Sequence, residues 1–178
     1  MLEIIISTFL VIFSLVIHEV GHWAFLARFN VPILQWWIGL GPKLFHAKSL
    51  RIGLFPLGGA VVPESDAYQQ LTHAQRVLVA LGGPLFSAIW AVTLLVCSDL
   101  VPHTQNFKGI HMLGELNLYI ALLNLVPIPP LDGFVALTEL AGHAGMPVTQ
   151  KFLDIHARLG NGIVYGLGFL MLLGIFYK

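Results

Sequence analysis

The chain has 178 residues, of which 57% are hydrophobic and 10% charged, and its mean hydropathy is +0.83; this excludes an ordinary water-soluble domain and implies an integral membrane protein. Nine basic residues balance nine acidic ones, and no Lys/Arg cluster offers the footprint of a nucleic-acid binder. The single cysteine, Cys97, leaves no internal disulfide and no cysteine zinc site, and in its apolar run it reads as packing.

Four segments are apolar enough to cross a hydrocarbon core roughly 30 Å thick as helices: about 4–27, 77–97, 112–126 and 159–177. The expected architecture is therefore an α-helical polytopic membrane protein forming a single core over 1–178. The first segment lacks a basic flank and a small-residue cleavage site, so it reads as a retained span rather than a signal peptide. Inside it stands His18-Glu19-Val20-Gly21-His22. His18 and His22 are four apart and share a helix face, where both imidazoles can reach one metal ion. Glu19 then sits beside a metal-activated water rather than on the metal, the H-E-x-x-H arrangement of a hydrolytic zinc site. Ionisable groups within a span are costly and need a partner, and snorkelling to the interface does not explain three of them on one turn.

The region between the first two spans carries ILQWWIGL at 33–40 and LRIGLFPLGGAVV at 50–62, too apolar for a solvated loop and punctuated by Gly and Pro. It is expected to form a small membrane-associated β-hairpin over about 33–62. A soluble hairpin anchored at the interface by Trp36 and Trp37 is the alternative. The third span is short, with Glu115 near its start, and ends at a proline-rich stretch. Counted by side, the loop from Arg28 to Arg76 and the later Lys151 and Arg158 hold seven basic residues, against Lys108 and Lys178 opposite. That bias places both termini on the non-cytoplasmic side. Beyond Pro147, the amphipathic VTQKFLDIHARL is expected to run into the last span as one helix.

Two histidines leave zinc short of a ligand. Asp132 is the best candidate on depth: Ile4 to His18 and Met112 to Val126 are both fourteen steps along the chain, each about 21 Å from the same side. Pro127, Pro129 and Pro130 then break the helix, which is tolerated where backbone lines a protein cavity. A plain Asp-Gly turn is the competing reading of Asp132-Gly133. His103 and His111 with Glu115 offer a weaker second metal site, and His46, His73, His143 and His156 read as ordinary cytoplasmic-side polar residues.

HEVGH together with NLVPIPPLDG at 124–133 resembles the site-2 protease family of intramembrane zinc metalloproteases. PLGGAV at 56–61 resembles its β-hairpin region and LGGPLFSA at 81–88 its Gly-Pro core helix. The resemblance implies one zinc ion on His18, His22 and Asp132, Glu19 as general base, and Asn124 with its proline-bent segment, Pro127 included, as a substrate-positioning element. Gly58 and Gly59 lie in the strand region that could hold an unwound substrate as an added strand. Ser87 departs from the asparagine frequent after Gly-Pro, which bears on helix packing there. The short 99–111 connection leaves no room for a PDZ domain, and no CBS domain is expected after the last span. The expected activity is hydrolysis of a peptide bond in or near a transmembrane segment of a membrane-protein substrate, within the lipid bilayer and with a separate regulatory or adaptor protein possible. The rival classes are a metal transporter, which should show polar residues at several depths, and a catalytically silent scaffold, which would usually lack the base.

Overall fold

The computed structural model describes residues 2–100 and 105–146, then 148–149, 151–156, 158–160, 162 and 166. In chain order these form α1 (Leu2–Arg28), β1 (Ile33–Ala47), β2 (Leu50–Pro63), α2 (Ser65–Gln69), α3 (His73–Leu100), α4 (Gln105–Asn124) and α5 (Asp132–His143). The protein is mostly helical with one two-stranded antiparallel sheet. Among the described residues two helices are long and apolar enough to span a bilayer, within Phe9–Arg28 and His73–Leu100. The third expected span differs from its observed helix: α4 begins at Gln105 and ends at Asn124 rather than covering 112–126. Its first turns carry Gln105, Asn106, Lys108 and His111, which lower hydropathy without preventing helical hydrogen bonding. Most of 159–177 lies outside the described residues.

The long helices invert the pattern of a soluble bundle. On α3, Leu85, Ile89, Val92 and Val96 are exposed, whereas Gly83, Pro84, Ser87, Ala91 and Ser98 are buried. Large apolar side chains face outward, and small or weakly polar ones let the helices approach, the pattern of helix packing in a bilayer. Gly21 on α1 and Gly82 on α3 meet so closely that a Cβ on either would strike the other's backbone carbonyl. Asn117 of α4, wholly buried, donates from Nδ2 to Ser14 Oγ at 2.9 Å and to the Leu113 carbonyl at 2.8 Å. That polar contact ties α4 to α1 one turn from His18.

Defined caps set where the helices stop. Asn30 takes a left-handed φ of 56°; Val31 N–H donates to the Leu26 carbonyl at 2.9 Å and Asn30 N–H to that of Ala27 at 3.1 Å. This is a Schellman ending, with Val31 and Leu26 supplying its apolar contact in the buried cluster they share with Leu71 and Val79. At the start of α3, Thr72 Oγ1 accepts from Gln75 N–H while Gln75 Oε1 accepts from Thr72 N–H, a capping box. The hairpin covers the expected stretch, its first strand running on past the apolar 33–40, and it is irregular, with bulges along its length. Trp36, Trp37 and Ile38 face Val61, Ala60 and Gly59 on one edge and lie beside Leu50, Arg51 and Ile52 on the other. The Gly59–Val61 end reaches back over α1.

Candidate metal centre

The α1 helix presents His18 and His22 on one face with ring centroids 5.0 Å apart, and α3 orients both rings. His22 Nδ1–H donates to the Val79 carbonyl at 2.8 Å. His18 Nδ1 lies 3.1 Å from Ser87 Oγ, so in the tautomer with Nδ1 protonated it donates to that hydroxyl. Each imidazole then turns its Nε2 inward, the outer-sphere arrangement that fixes metal-ligating histidines.

Asp132, the first residue of α5, meets them there. Its Oδ2 lies 3.0 Å from His18 Nε2 and 3.4 Å from His22 Nε2, and the two Nε2 atoms are 3.3 Å apart. Two ligands about 2.0–2.1 Å from a common tetrahedral centre are separated by roughly 3.3 Å, so this triangle has the edges of one face of a tetrahedral zinc site. It is the one group of three or more metal-ligating side chains among the described residues. The donor set, two imidazoles and a carboxylate, is that of a hydrolytic zinc centre with a position left for water.

Two glycines make the site possible. A Cβ on Gly83 would collide with both Nε2 atoms, and one on Gly133 would collide with the Leu125 carbonyl. The Gly-Gly-Pro of α3 therefore forms the floor of the centre, and the Asp-Gly of α5 lets Asp132 sit against the end of α4. Asp132-Gly133 is thus more than a turn.

Glu19 is 5% exposed, and its Oε2 has no hydrogen-bond partner among the described residues. An unpartnered buried carboxylate oxygen is expensive unless something polar arrives to meet it. It faces a cavity of about 460 Å³, lined also by His18, His22, Asp132, Asn124 and the 58–61 stretch of β2. A Cβ on Gly59 would come within 3.0 Å of Glu19 Oε1, so the strand lies directly against the carboxylate. Gly58, with φ 81°, holds the strand in a conformation that side-chain-bearing residues resist. Tyr68 of α2 also lines the cavity. Burial and then the nearby Glu139 raise its phenol above the ordinary tyrosine value, so it stays protonated.

The expected site residues divide as follows. His18, Glu19, His22, Asp132, Asn124, Gly58 and Gly59 all border the one cavity; Asn124 Nδ2 donates to the Ile120 carbonyl at 2.9 Å. Pro127 is exposed and does not line the cavity, whereas Pro130 does. The turn after α4 carries Pro127 outward before the chain returns towards Asp132. Ser87 was read as bearing on helix packing, and its hydroxyl also lies 3.1 Å from His18 Nδ1. His73 sits in a polar setting, its Nδ1 2.7 Å from Glu139 Oε2. His111 Nε2 sits 3.6 Å from Glu115 Oε1 in an exposed i,i+4 pair, and His103 lies outside the described residues.

Known proteins resemble this chain in sequence and in fold. A family profile described as peptidase family M50 matches residues 6–109. Rip2 of Mycobacterium tuberculosis, which carries a zinc metalloprotease name, is 36% identical over 137 residues, 70% of this chain and 52% of its own. Its namesake in Mycolicibacterium smegmatis is 35% identical over 153 residues, 79% of this chain and 57% of its own. The chain thus spans about half the length of these relatives. A solved site-2 protease from Methanocaldococcus jannaschii superposes with a TM-score of 0.61 at 24% identity, covering 94% of this chain and 67% of that one, which shows a shared fold. With more than half of its length matched by the family profile, the chain belongs to peptidase family M50, the site-2 protease family of membrane zinc metalloproteases.

Proposed function

We propose that this chain is a zinc-dependent intramembrane endopeptidase that hydrolyses a peptide bond in or near a transmembrane segment of a membrane-protein substrate. The observation that carries the reading is the pairing of the Nε2/Nε2/Oδ2 triangle with an unpartnered Glu19 Oε2 at one cavity. His18, His22 and Asp132 would hold the ion. A zinc ion held there supplies Lewis acidity, polarising a peptide carbonyl and acidifying water into the neutral range.

The remaining work falls to the chain. Glu19, buried beside the ligands, accepts a proton from the attacking water at its carboxylate and returns it to the leaving amine. Its burial and its contact with Gly59 keep it aimed at the reacting position. A helical substrate hides its carbonyls in its own hydrogen bonds, so it must unwind locally before cleavage. The Gly59–Val61 stretch pairs with β1 along one edge and borders the cavity, which suits it to receive an unwound segment as an added strand. Replacing Gly58 and Gly59 with proline should lower cleavage more than zinc content; unchanged cleavage rejects strand addition.

The basic-residue asymmetry supports a site towards the cytoplasmic side, with termini opposite, and a separate regulatory or adaptor protein remains compatible with it. The deciding experiment is Glu19→Gln in purified protein, scored for bound zinc and for cleavage of single-span substrates. The proposal expects zinc retained and cleavage lost. Cleavage by the variant at the unmodified rate would reject Glu19 as base, and a wild-type protein that binds zinc yet cleaves none of the substrates would favour a transporter or scaffold.

A further inference from the structure

The third metal ligand stands at the very start of α5, after an irregular turn, so something must fix the helix that carries it. Glu139 lies seven residues after Asp132 on α5, and Arg76 seven residues before Gly83 on α3, two helical turns or about 10.5 Å in each case. The helices run antiparallel along this stretch: Asp132 meets the histidines over Gly83, while Glu139 meets Arg76 and His73. Arg76 Nη1 lies 3.4 Å from both Glu139 oxygens, and His73 Nδ1 is 2.7 Å from Oε2. Arg76 is itself held, its Nη2 donating to the Gln69 carbonyl at 2.8 Å and its guanidinium lying 5.8 Å from the Tyr68 ring centroid. One turn on, Gly142 packs so close to His73 that a Cβ would come within 2.7 Å of its ring.

The geometry points to Glu139 as a positioning residue for Asp132, acting through the Arg76 and His73 contacts that set the axial register of α5 against α3. The same face of α3 carries, at three- and four-residue steps, His73, Arg76, Val79, Gly83 and Ser87. The first two hold the helix bearing the carboxylate ligand, Val79 and Ser87 orient the imidazoles, and Gly83 makes room for the centre. Side chains of Glu139 and Arg76 are only 17% and 22% exposed, so water replaces the contact poorly if it is broken. A slip of α5 by one residue would move Asp132 by about 1.5 Å and turn it by roughly 100°, out of reach of at least one histidine.

This inference rests on the metal reading above, and its test is metal affinity rather than cleavage. Zinc affinity of the purified full chain in detergent is measured by chelator competition for wild type, Glu139→Gln, Asp132→Asn and the double variant, with helicity by circular dichroism as the folding control. Glu139→Gln should weaken zinc by about ten- to hundredfold in the wild-type background, the range for residues that orient ligands. In the Asp132→Asn background it should make no further difference, since its effect passes through Asp132. A general structural role would weaken binding equally in both backgrounds, and that result overturns the inference, as does unchanged affinity in folded Glu139→Gln. Should that variant fail to fold, Arg76→Lys carries the same comparison, keeping the charge while losing the second nitrogen that anchors the side chain to the Gln69 carbonyl. A wild-type chain that takes up no zinc overturns the metal reading and this inference together; a wild-type chain that binds zinc with Glu139→Gln unaffected overturns this inference alone.

Discussion

Gly83→Ala separates the fold from the metal site more sharply than any other single change. The added methyl would meet His22 Nε2 and His18 Nε2, both at the far ends of side chains rather than on backbone. The fold can answer by swinging the imidazoles aside. Overpacking costs about 1–3 kcal/mol, and alanine in a helix recovers about 0.8–1.0 kcal/mol relative to glycine, so the net loss of stability should stay within about 2 kcal/mol. The metal has no such escape. A ligand nitrogen must stand about 2.0–2.1 Å from zinc, and a methyl wedged between both Nε2 atoms prevents that for the pair. Zinc affinity should fall by well over the roughly hundredfold typical of losing an orienting residue. Zinc content of the purified variant, measured with a thermal unfolding curve, provides both numbers. A Gly83→Ala protein that binds one zinc per chain at wild-type affinity would refute the reasoning, because the ion could not then lie where the two nitrogens converge.

Ser87→Ala removes the 3.1 Å contact to His18 Nδ1 and should weaken zinc by about ten- to hundredfold, with Ser87→Thr partly restoring it; equal affinity in all three proteins would discount the contact. Gly21→Ala drives a methyl into the Gly82 carbonyl and should destabilise by at least about 1–3 kcal/mol, because two backbones must part; a melting temperature no lower than that of Gly83→Ala would contradict the packing. Gly59→Val places a side chain against Glu19 Oε1 and Cγ, so cleavage should drop while zinc stays bound, and full cleavage would show that the strand does not position the carboxylate. Ser14→Ala, by removing the acceptor of Asn117 Nδ2, should cost roughly 0.6 kcal/mol, the average for hydrogen bonds between membrane helices, measured as a shift in detergent unfolding.

What could be read from the residues divides along physical lines. The His18/Glu19/His22 arrangement was legible because a four-residue step on a helix fixes a shared face by local geometry alone. Asp132 needed an argument from depth, since no local pattern joins positions 114 residues apart, and only matching span lengths put both at one level. The hairpin followed from apolar runs broken by Gly and Pro, but its bulged register did not, because strand pairing depends on contacts between runs. α4 begins before the apolar run at 112–126 because hydropathy reports solvent preference, whereas helix formation needs only backbone hydrogen bonds; Lys108 and His111 lower one without breaking the other. Pro127 and Pro130 are alike in sequence, and the path of the turn decides which faces the cavity. Ser87 and Glu139 act across helix pairs, so their partners became visible only when α1, α3 and α5 were set side by side.

Everything proposed for this site requires that His18, His22 and Asp132 hold one zinc ion. X-ray absorption at the zinc edge of the purified, zinc-loaded chain tests it most directly. The spectrum should show two imidazoles and oxygen donors at about 2.0–2.2 Å with no sulfur, and the signal of one imidazole lost in His22→Ala. A sulfur ligand from Cys97, or a spectrum indifferent to the loss of His22, would contradict it.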